Sequence, residues 1–355
     1  MIRIVKRPEA ASSKFGGLKR TILASLAALG ASAIVMLCMG YNPVDIYGKI
    51  IQGSLGTAYR FRETVNKAIP LATLSLGVLV AFKMKFWNIG GEGQFYMGAF
   101  GASLVAFAFP NLAAPLLLPL MMAAAVVFAG IWILIPALLK ARFSTSETLV
   151  TLMLNYVASQ WISYLQYGPW KDPAAIGFPK IAAFSKNAIL PKAFGIHIGW
   201  IIVLILTVLV YILLKKSKLG FEIEVAGESE ATARYAGMNM LKITIIGGMI
   251  SGGLCGIAGM MQASAIERSL SDQLSGGLGF TAVITTWLAR LSPPGILLTS
   301  FLFSVLILGG MFLQSSLQIP AAISGILQGI ILFFVVGSEF FTRYTFVSDR
   351  NRERP

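Results

Sequence analysis

Apolar residues gather in ten blocks separated by polar stretches, near 21–40, 67–84, 92–110, 114–139, 147–166, 198–214, 243–263, 278–291, 295–314 and 319–338. Roughly 20 apolar residues are what an α-helix needs to cross the hydrocarbon core of a bilayer. Block 278–291 is the shortest. The pattern predicts an all-α, polytopic membrane protein of about ten transmembrane helices. The first block follows a basic segment and resembles a secretory leader, but it is longer than a cleavable apolar region. An uncleaved first helix is expected.

One stretch breaks the pattern sharply. Phe86-Trp87-Asn88-Ile89-Gly90-Gly91-Glu92-Gly93-Gln94 puts three glycines and three polar side chains between two apolar blocks. Each glycine loosens a helix by about 1 kcal/mol, and a carboxylate is costly in hydrocarbon. Two readings are open: a cytoplasmic turn between two spanning helices, or a helix break lining a translocation route, as in transporters with discontinuous helices. Glu92 could border such a route or cap the helix, accepting from free amides near Gln94 and Phe95.

A second glycine-rich polar segment, Ser264 to Gly279, interrupts the later blocks in the same manner. Paired interruptions suggest that spans two to five and seven to ten are related units. Before it, Gly247, Gly248, Gly252, Gly253, Gly256 and Gly259 make small-residue ridges that permit close helix approach. In the fifth block, Thr148, Thr151, Asn155, Ser159, Ser163 and Gln166 share one helical face. Such a stripe either hydrogen-bonds a neighbouring helix or lines a hydrated path. Asn88, Glu92, Gln94, Thr151 and Asn155 are the candidate substrate-path residues.

Composition agrees with a membrane location: hydrophobic residues make up 56% and charged residues 12% of the 355, about half the charge of a soluble chain. The net charge of +14 needs no nucleic-acid partner, because membrane topology accounts for its distribution. With both termini inside, 20 of the 29 Lys and Arg residues are cytoplasmic, as the positive-inside rule requires. Cys38 and Cys255 both sit in apolar runs and the single histidine, His197, stands beside Gly195 and Gly199. Neither a disulfide framework nor a metal centre is expected, no cofactor is called for, and His197 reads as structural.

Three connections are long. Tyr41 to Asn66, outside, is polar with room for a short interfacial helix. Tyr167 to Gly199, also outside, carries Pro169, Pro173, Pro179 and Pro191, which stiffen it into a platform suited to docking. Lys215 to Lys242 faces the cytoplasm and contains Gly227-Glu228-Ser229-Glu230-Ala231-Thr232-Ala233-Arg234-Tyr235-Ala236-Gly237. This reads as a short separate helix, with Glu228 and Glu230 at its N-terminal dipole, a Glu230–Arg234 pair, and Gly237 ending it. A helix that short needs a partner surface. The layout is a basic cytoplasmic segment 1–20, a transmembrane domain 21–338 and a basic tail 339–355, where Arg343, Arg350, Arg352 and Arg354 suit anionic lipid.

Phe86 to Ala99 resembles the signature of permease subunits of bacterial nucleoside ABC importers, within the sugar and branched-chain amino acid permease superfamily. Glu147 to Tyr156, followed by Gly168-Pro169-Trp170-Lys171-Asp172-Pro173, is similar to a second motif. Ala226-Gly227 with Ala231 to Gly237 is similar to a third. The three occur in the family's order over about 65–340. The resemblance implies a multi-pass protein of the bacterial inner membrane that passes nucleosides from an extracytoplasmic binding protein to the cytoplasm. It also implies a separate ATPase subunit, a second permease subunit (a paralogue or another copy), and a coupling helix in which Gly227, Glu228, Glu230, Arg234 and Gly237 meet the ATPase. Glu222 and Glu224 depart from the basic residue the family shows there; Ala289, Arg290 and Ser292 depart too. No P-loop motif occurs, so ATP would be hydrolysed by another chain. Absence of a Gly-x-Ser-x-Gly elbow or His-Glu-x-x-His pair argues against a membrane enzyme. An ion-coupled transporter would want intramembrane carboxylates, and only Glu92 qualifies. Simple sugars and other small polar solutes stand as alternative cargo.

Overall fold

The structure, a computed structural model, describes residues 2–6, 14–318, short pieces between 322 and 334, and 344–348. It is mostly helical. In chain order come β1 (Ile2–Lys6), α1 (Lys14–Cys38), α2 (Pro43–Leu55), α3 (Ala58–Lys83), α4 (Gly91–Ala108), α5 (Ala114–Phe143) and α6 (Glu147–Tyr167). After the loop that holds β2 (Lys192–Ala193) and β3 (Ile196–His197) follow α7 (Gly199–Lys216), α8 (Lys218–Glu228), α9 (Glu230–Tyr235) and α10 (Met240–Met261). A π-turn (Gln262–Glu267), α11 (Leu278–Leu288), α12 (Pro293–Leu317) and β4 (Tyr344–Ser348) complete the order.

Nine of the ten apolar blocks coincide with helices; the tenth, 319–338, lies largely outside the described residues. By length and composition, five described helices can cross a membrane: Ala58–Lys83, Ala114–Phe143, Gly199–Lys216, Met240–Glu267 and Pro293–Ser316. Leu26–Cys38 with Pro43–Leu55 adds a sixth if that pair, bent by 114°, is one broken span. The helices α4 and α6, which carry the polar break and stripe, are not among them, and α11 has only 11 residues.

Two units are distinguished, 1–60 with 305–355, and 61–304. In the first, Met36, Ile46, Ile50, Leu313 and Ile323 form a buried cluster. The connection after the first apolar block holds a helix, α2, started by Asn42, whose side chain accepts from the Val44 amide at 3.1 Å. The all-α expectation needs one correction here. β1 pairs antiparallel with β4, Ile2 opposite Ser348 and Lys6 opposite Tyr344, because both segments are rich in β-branched and aromatic residues. Arg343, Arg350, Arg352 and Arg354 lie outside the described residues.

In the second unit, α4, α5 and α10 form the packed centre, and α3 is buried along most of its length. The glycine ridge of α10 does what its spacing predicts. A side chain at Gly98 would overlap the backbone of Gly256, and one at Gly259 would overlap the Phe95 carbonyl. Only hydrogen at these positions lets α4 and α10 touch backbone to backbone.

The proline-bearing loop lies over the π-turn and the chain that follows it. The Leu190 amide donates to Ser264 Oγ at 3.0 Å, Phe184 N–H to the Arg268 carbonyl at 2.9 Å, and Ser269 Oγ to the Ile181 carbonyl at 3.0 Å. Trp170 stacks on Phe100. His197 is buried and bonded to Asn66. Its backbone N–H donates to Asn66 Oδ1 at 3.1 Å and its Nε2–H to the Asn66 carbonyl at 3.2 Å. Burial drops its pKa to about 4, leaving the ring neutral at physiological pH.

Candidate functional site

Breaking a helix frees backbone groups that hydrocarbon cannot satisfy, so the break must carry its own partners. α3 closes at Lys85, whose N–H donates to the Phe82 carbonyl at 3.0 Å, while Phe86 N–H reaches the Ala81 carbonyl at 3.1 Å. α4 opens at Gly91, and its N-cap, Gly90, has no side chain to offer. Asn155, on α6, takes over that task. Its Oδ1 accepts from Gly93 N–H at 2.8 Å, and its Nδ2 donates to the Ile89 carbonyl at 2.9 Å. The cap is thus supplied by another helix.

Asn88 works from within the break. Its Oδ1 accepts from Gly90 N–H at 3.0 Å and from Gln94 Nε2 at 2.8 Å. Its Nδ2 donates to Gln94 Oε1 at 3.0 Å and to Ser251 Oγ at 3.1 Å. Thr151 packs beside Gly90, within 2.9 Å of where a Cβ would be, and its hydroxyl donates to the Thr148 carbonyl. All five candidate path residues, Asn88, Glu92, Gln94, Thr151 and Asn155, are buried in one neighbourhood.

Glu92 is a capping carboxylate, but not of its own helix. Its oxygens accept from Ser275 Oγ and, at 2.6 Å, from Gly279 N–H in the first turn of α11. Gly277, the N-cap of α11, has φ of +83°, so again a glycine start receives its acceptor from elsewhere. Gly279 sits so close that a Cβ would come within 2.5 Å of the Glu92 amide nitrogen. The amides near Gln94 and Phe95 are not its partners: Gln94 N–H already donates to the Gly90 carbonyl at 3.0 Å. The two glycine-rich interruptions are therefore joined directly, and each helix that follows is capped in trans.

The polar stripe of α6 divides. Thr151, Asn155 and Gln166 are buried, while Thr148, Ser159 and Ser163 are only partly so. Gln166 ties the proline-bearing loop to the second interruption, donating to the Pro179 carbonyl at 3.3 Å and accepting from Asp272 N–H at 3.0 Å. The opposite face of α6 exposes Met153, Tyr156, Gln160, Tyr164 and Tyr167.

Residue spacing did not single out Ser251, Ser275 or the Lys140–Glu147 pair. Glu147 accepts from Lys140 Nζ at 2.5 Å and from Trp87 N–H at 3.2 Å, fixing the α5–α6 turn to the break. The one available signal was that Glu147 opens the second family-like stretch.

On the other long linker, the short helix begins three residues later than its sequence suggests. Gly227 and Glu228 end α8; Ser229 adopts an extended backbone and its Oγ accepts from Thr232 N–H at 3.2 Å, starting α9 at Glu230. A serine in that position caps well, so Glu228 does not sit at the N-terminal dipole of α9. Glu230 and Arg234 pair at 2.5 Å. Gly237, φ +74°, closes the helix, with Met238 N–H on the Ala233 carbonyl at 3.0 Å. Of α9 only Ala233 is buried. Glu222 and Glu224, unexpected for the family, pair with Lys218 and Lys215 at 3.8 and 3.5 Å.

Residues 61–336 match the family described as branched-chain amino acid transport system / permease component. A glucose ABC transporter permease protein of Haloferax volcanii is 32% identical, covering 91% of this chain and 88% of that protein. Two guanosine ABC transporter permease proteins of Bacillus subtilis are also similar. NupP is 30% identical over 89% of this chain and 92% of its own length, and NupQ 29% identical over 68% and 78%. With most of the chain matched and its membrane helices in place, this protein belongs to the permease-component family of the branched-chain amino acid transport system, as an integral-membrane transport subunit.

Proposed function

We propose that the chain is the permease of a bacterial inner-membrane ABC importer that carries nucleosides into the cytoplasm, with ATP hydrolysed by a separate subunit. One observation carries the reading. α9 is a six-residue helix with a single buried side chain, held at the end of a linker that abuts the end of α3. Too short to persist alone, it has the shape of a docking element, with Glu230, Arg234 and Gly237 meeting the ATPase and Gly227 and Glu228 behind them. The guanosine proteins of Bacillus subtilis support the nucleoside cargo; the Haloferax volcanii glucose protein supports simple sugars as the second reading.

In this proposal Asn88, Glu92, Gln94, Thr151 and Asn155 border the route by holding its breaks in shape. The exposed face of α6, with Tyr156, Gln160 and Tyr164, turns toward the route and a second permease, since lipid tails would leave its polar groups unpartnered. Two permeases described for one cargo in Bacillus subtilis favour a paralogue as that second subunit. An external binding protein docks on the outer loop, where Ile176, Phe178 and Phe194 are almost fully exposed.

Vesicles holding the complete complex should take up labelled guanosine in an ATP-dependent manner, with unlabelled glucose failing to compete. Glucose uptake without guanosine uptake would replace the cargo. Reversing both charges, Glu230→Lys with Arg234→Glu, should cut substrate-stimulated ATP hydrolysis and uptake at least about tenfold, equivalent to about 1.4 kcal/mol, with membrane insertion intact. Normal transport by that double variant would remove α9 from the interface.

The same reading sets the orientation. In a Cys38→Ser background, Pro179→Cys should react with an impermeant thiol reagent applied to intact cells, and Ser217→Cys should not. The reverse labelling would invert the topology derived from the basic residues.

A further inference from the structure

α8 ends against the place where α3 ends. Gly227 lies so near the Lys83 carbonyl that a Cβ there would overlap it, and would stand 3.3 Å from Met84 Cα. One residue on, the Glu228 carbonyl, at the C-terminus of α8, accepts from Lys85 Nζ at 3.2 Å, a cation at the negative end of a helix. Lys85 has φ of +51°. It occupies the left-handed position that closes α3, where glycine is the residue of least conformational cost. The lysine there has a use for its side chain, since its ammonium reaches the Glu228 carbonyl. Past Glu228 the chain turns at Ser229 into α9; two residues past Lys85 stands Trp87, whose amide is held by Glu147, and then Asn88. The exposed short helix and the buried break are thus linked through one seat with no loop between.

We propose that this seat, Gly227 on the Lys83 carbonyl with the Lys85 ammonium over the Glu228 carbonyl, is the joint that carries a displacement of α9 into the Asn88–Glu92 break. Through Glu92 the same displacement reaches Ser275 and the start of α11. The proposal rests on the reading of α9 as the ATPase-docking helix. Lys85 and Gly227 are positioning residues: neither touches substrate, and both set how far ATPase closure moves the break.

The test uses the complete complex in lipid vesicles, with labelled guanosine and labelled glucose as probes. Uptake per ATP hydrolysed and the thermal unfolding midpoint are both measured. Lys85→Gly should leave the midpoint at or above that of the parent, because glycine suits the left-handed backbone, yet lower uptake per ATP at least fivefold. Lys85→Arg, which keeps a cation within reach, should restore most of the ratio. Gly227→Ala should lower the ratio by displacing α8 from Lys83. Should Lys85→Gly fail to assemble, Lys85→Met carries the same expectation for the ratio. An unchanged ratio in the Lys85 variant, whatever its midpoint, overturns the joint. The Glu230→Lys, Arg234→Glu variant separates the two ideas. If it loses substrate-stimulated hydrolysis and uptake while Lys85→Gly keeps the parental ratio, α9 docks but the joint is elsewhere; if its uptake and hydrolysis both stay at the parental rate, the docking reading itself fails.

Discussion

Asn155→Leu is expected to destabilise the protein by about 2–5 kcal/mol and to reduce uptake at least about tenfold. Leucine fills nearly the same volume but leaves Gly93 N–H and the Ile89 carbonyl, both now bound to the Asn155 amide at 2.8 and 2.9 Å, without partners. A buried group left unpaired costs about 1–3 kcal/mol. Thermal unfolding of the purified protein and uptake by vesicles check the two halves. Asn155→Asp, which retains the acceptor and loses the donor, should fall between leucine and the parent. If Asn155→Leu unfolds at the parental temperature and transports at the parental rate, α4 does not depend on a cap from α6.

Glu92 gives the second large effect, and two substitutions separate its roles. Glu92→Ala removes the acceptors of Ser275 Oγ and Gly279 N–H together, and should cost about 2–4 kcal/mol with loss of transport. In Glu92→Gln the amide oxygen can accept from Gly279 N–H, while its NH₂ donates to Ser275 Oγ, the serine hydroxyl turning to suit. Shape and hydrogen bonds survive and only the charge is lost, so the cost should be about 1 kcal/mol with uptake kept within a few fold. A well-folded Glu92→Gln protein with transport as poor as that of alanine would show that the charge itself acts in gating.

What the sequence showed and hid follows from the range of each interaction. Helix positions were legible because hydrophobic runs are local: α4 begins at Gly91 and α5 at Ala114, within a residue of their apolar blocks. Close approach along α10 was legible for the same reason, as glycine spacing is a property of one helix. That the two glycine-rich segments matter could also be seen. How they are held could not, because capping rules look within three or four residues and these caps arrive from other helices. For Glu92 the sequence left two roles open, a border of the route or a cap for its own helix; its partners lie in the second interruption. The polar stripe of α6 was correct as a face, yet half of it serves the break and the proline-bearing loop through Asn155 and Gln166. Ser229 was the local signal overlooked, and it moves the start of α9 to Glu230.

Capping in trans has a consequence for how the chain is made. The groups that satisfy α4 are synthesised after it: Asn155 follows Gly93 by 62 residues, Ser251 follows Asn88 by 163, and Gly279 follows Glu92 by 187. When α4 leaves the ribosome it carries a carboxylate and open amides that nothing yet made can satisfy, a poor candidate for release into lipid on its own. It reaches its native state only once α11 has emerged. Biosynthesis therefore leaves the earliest polar segment waiting on one of the last helices, and a nascent chain stopped before residue 279 holds Glu92 without its native cap partners.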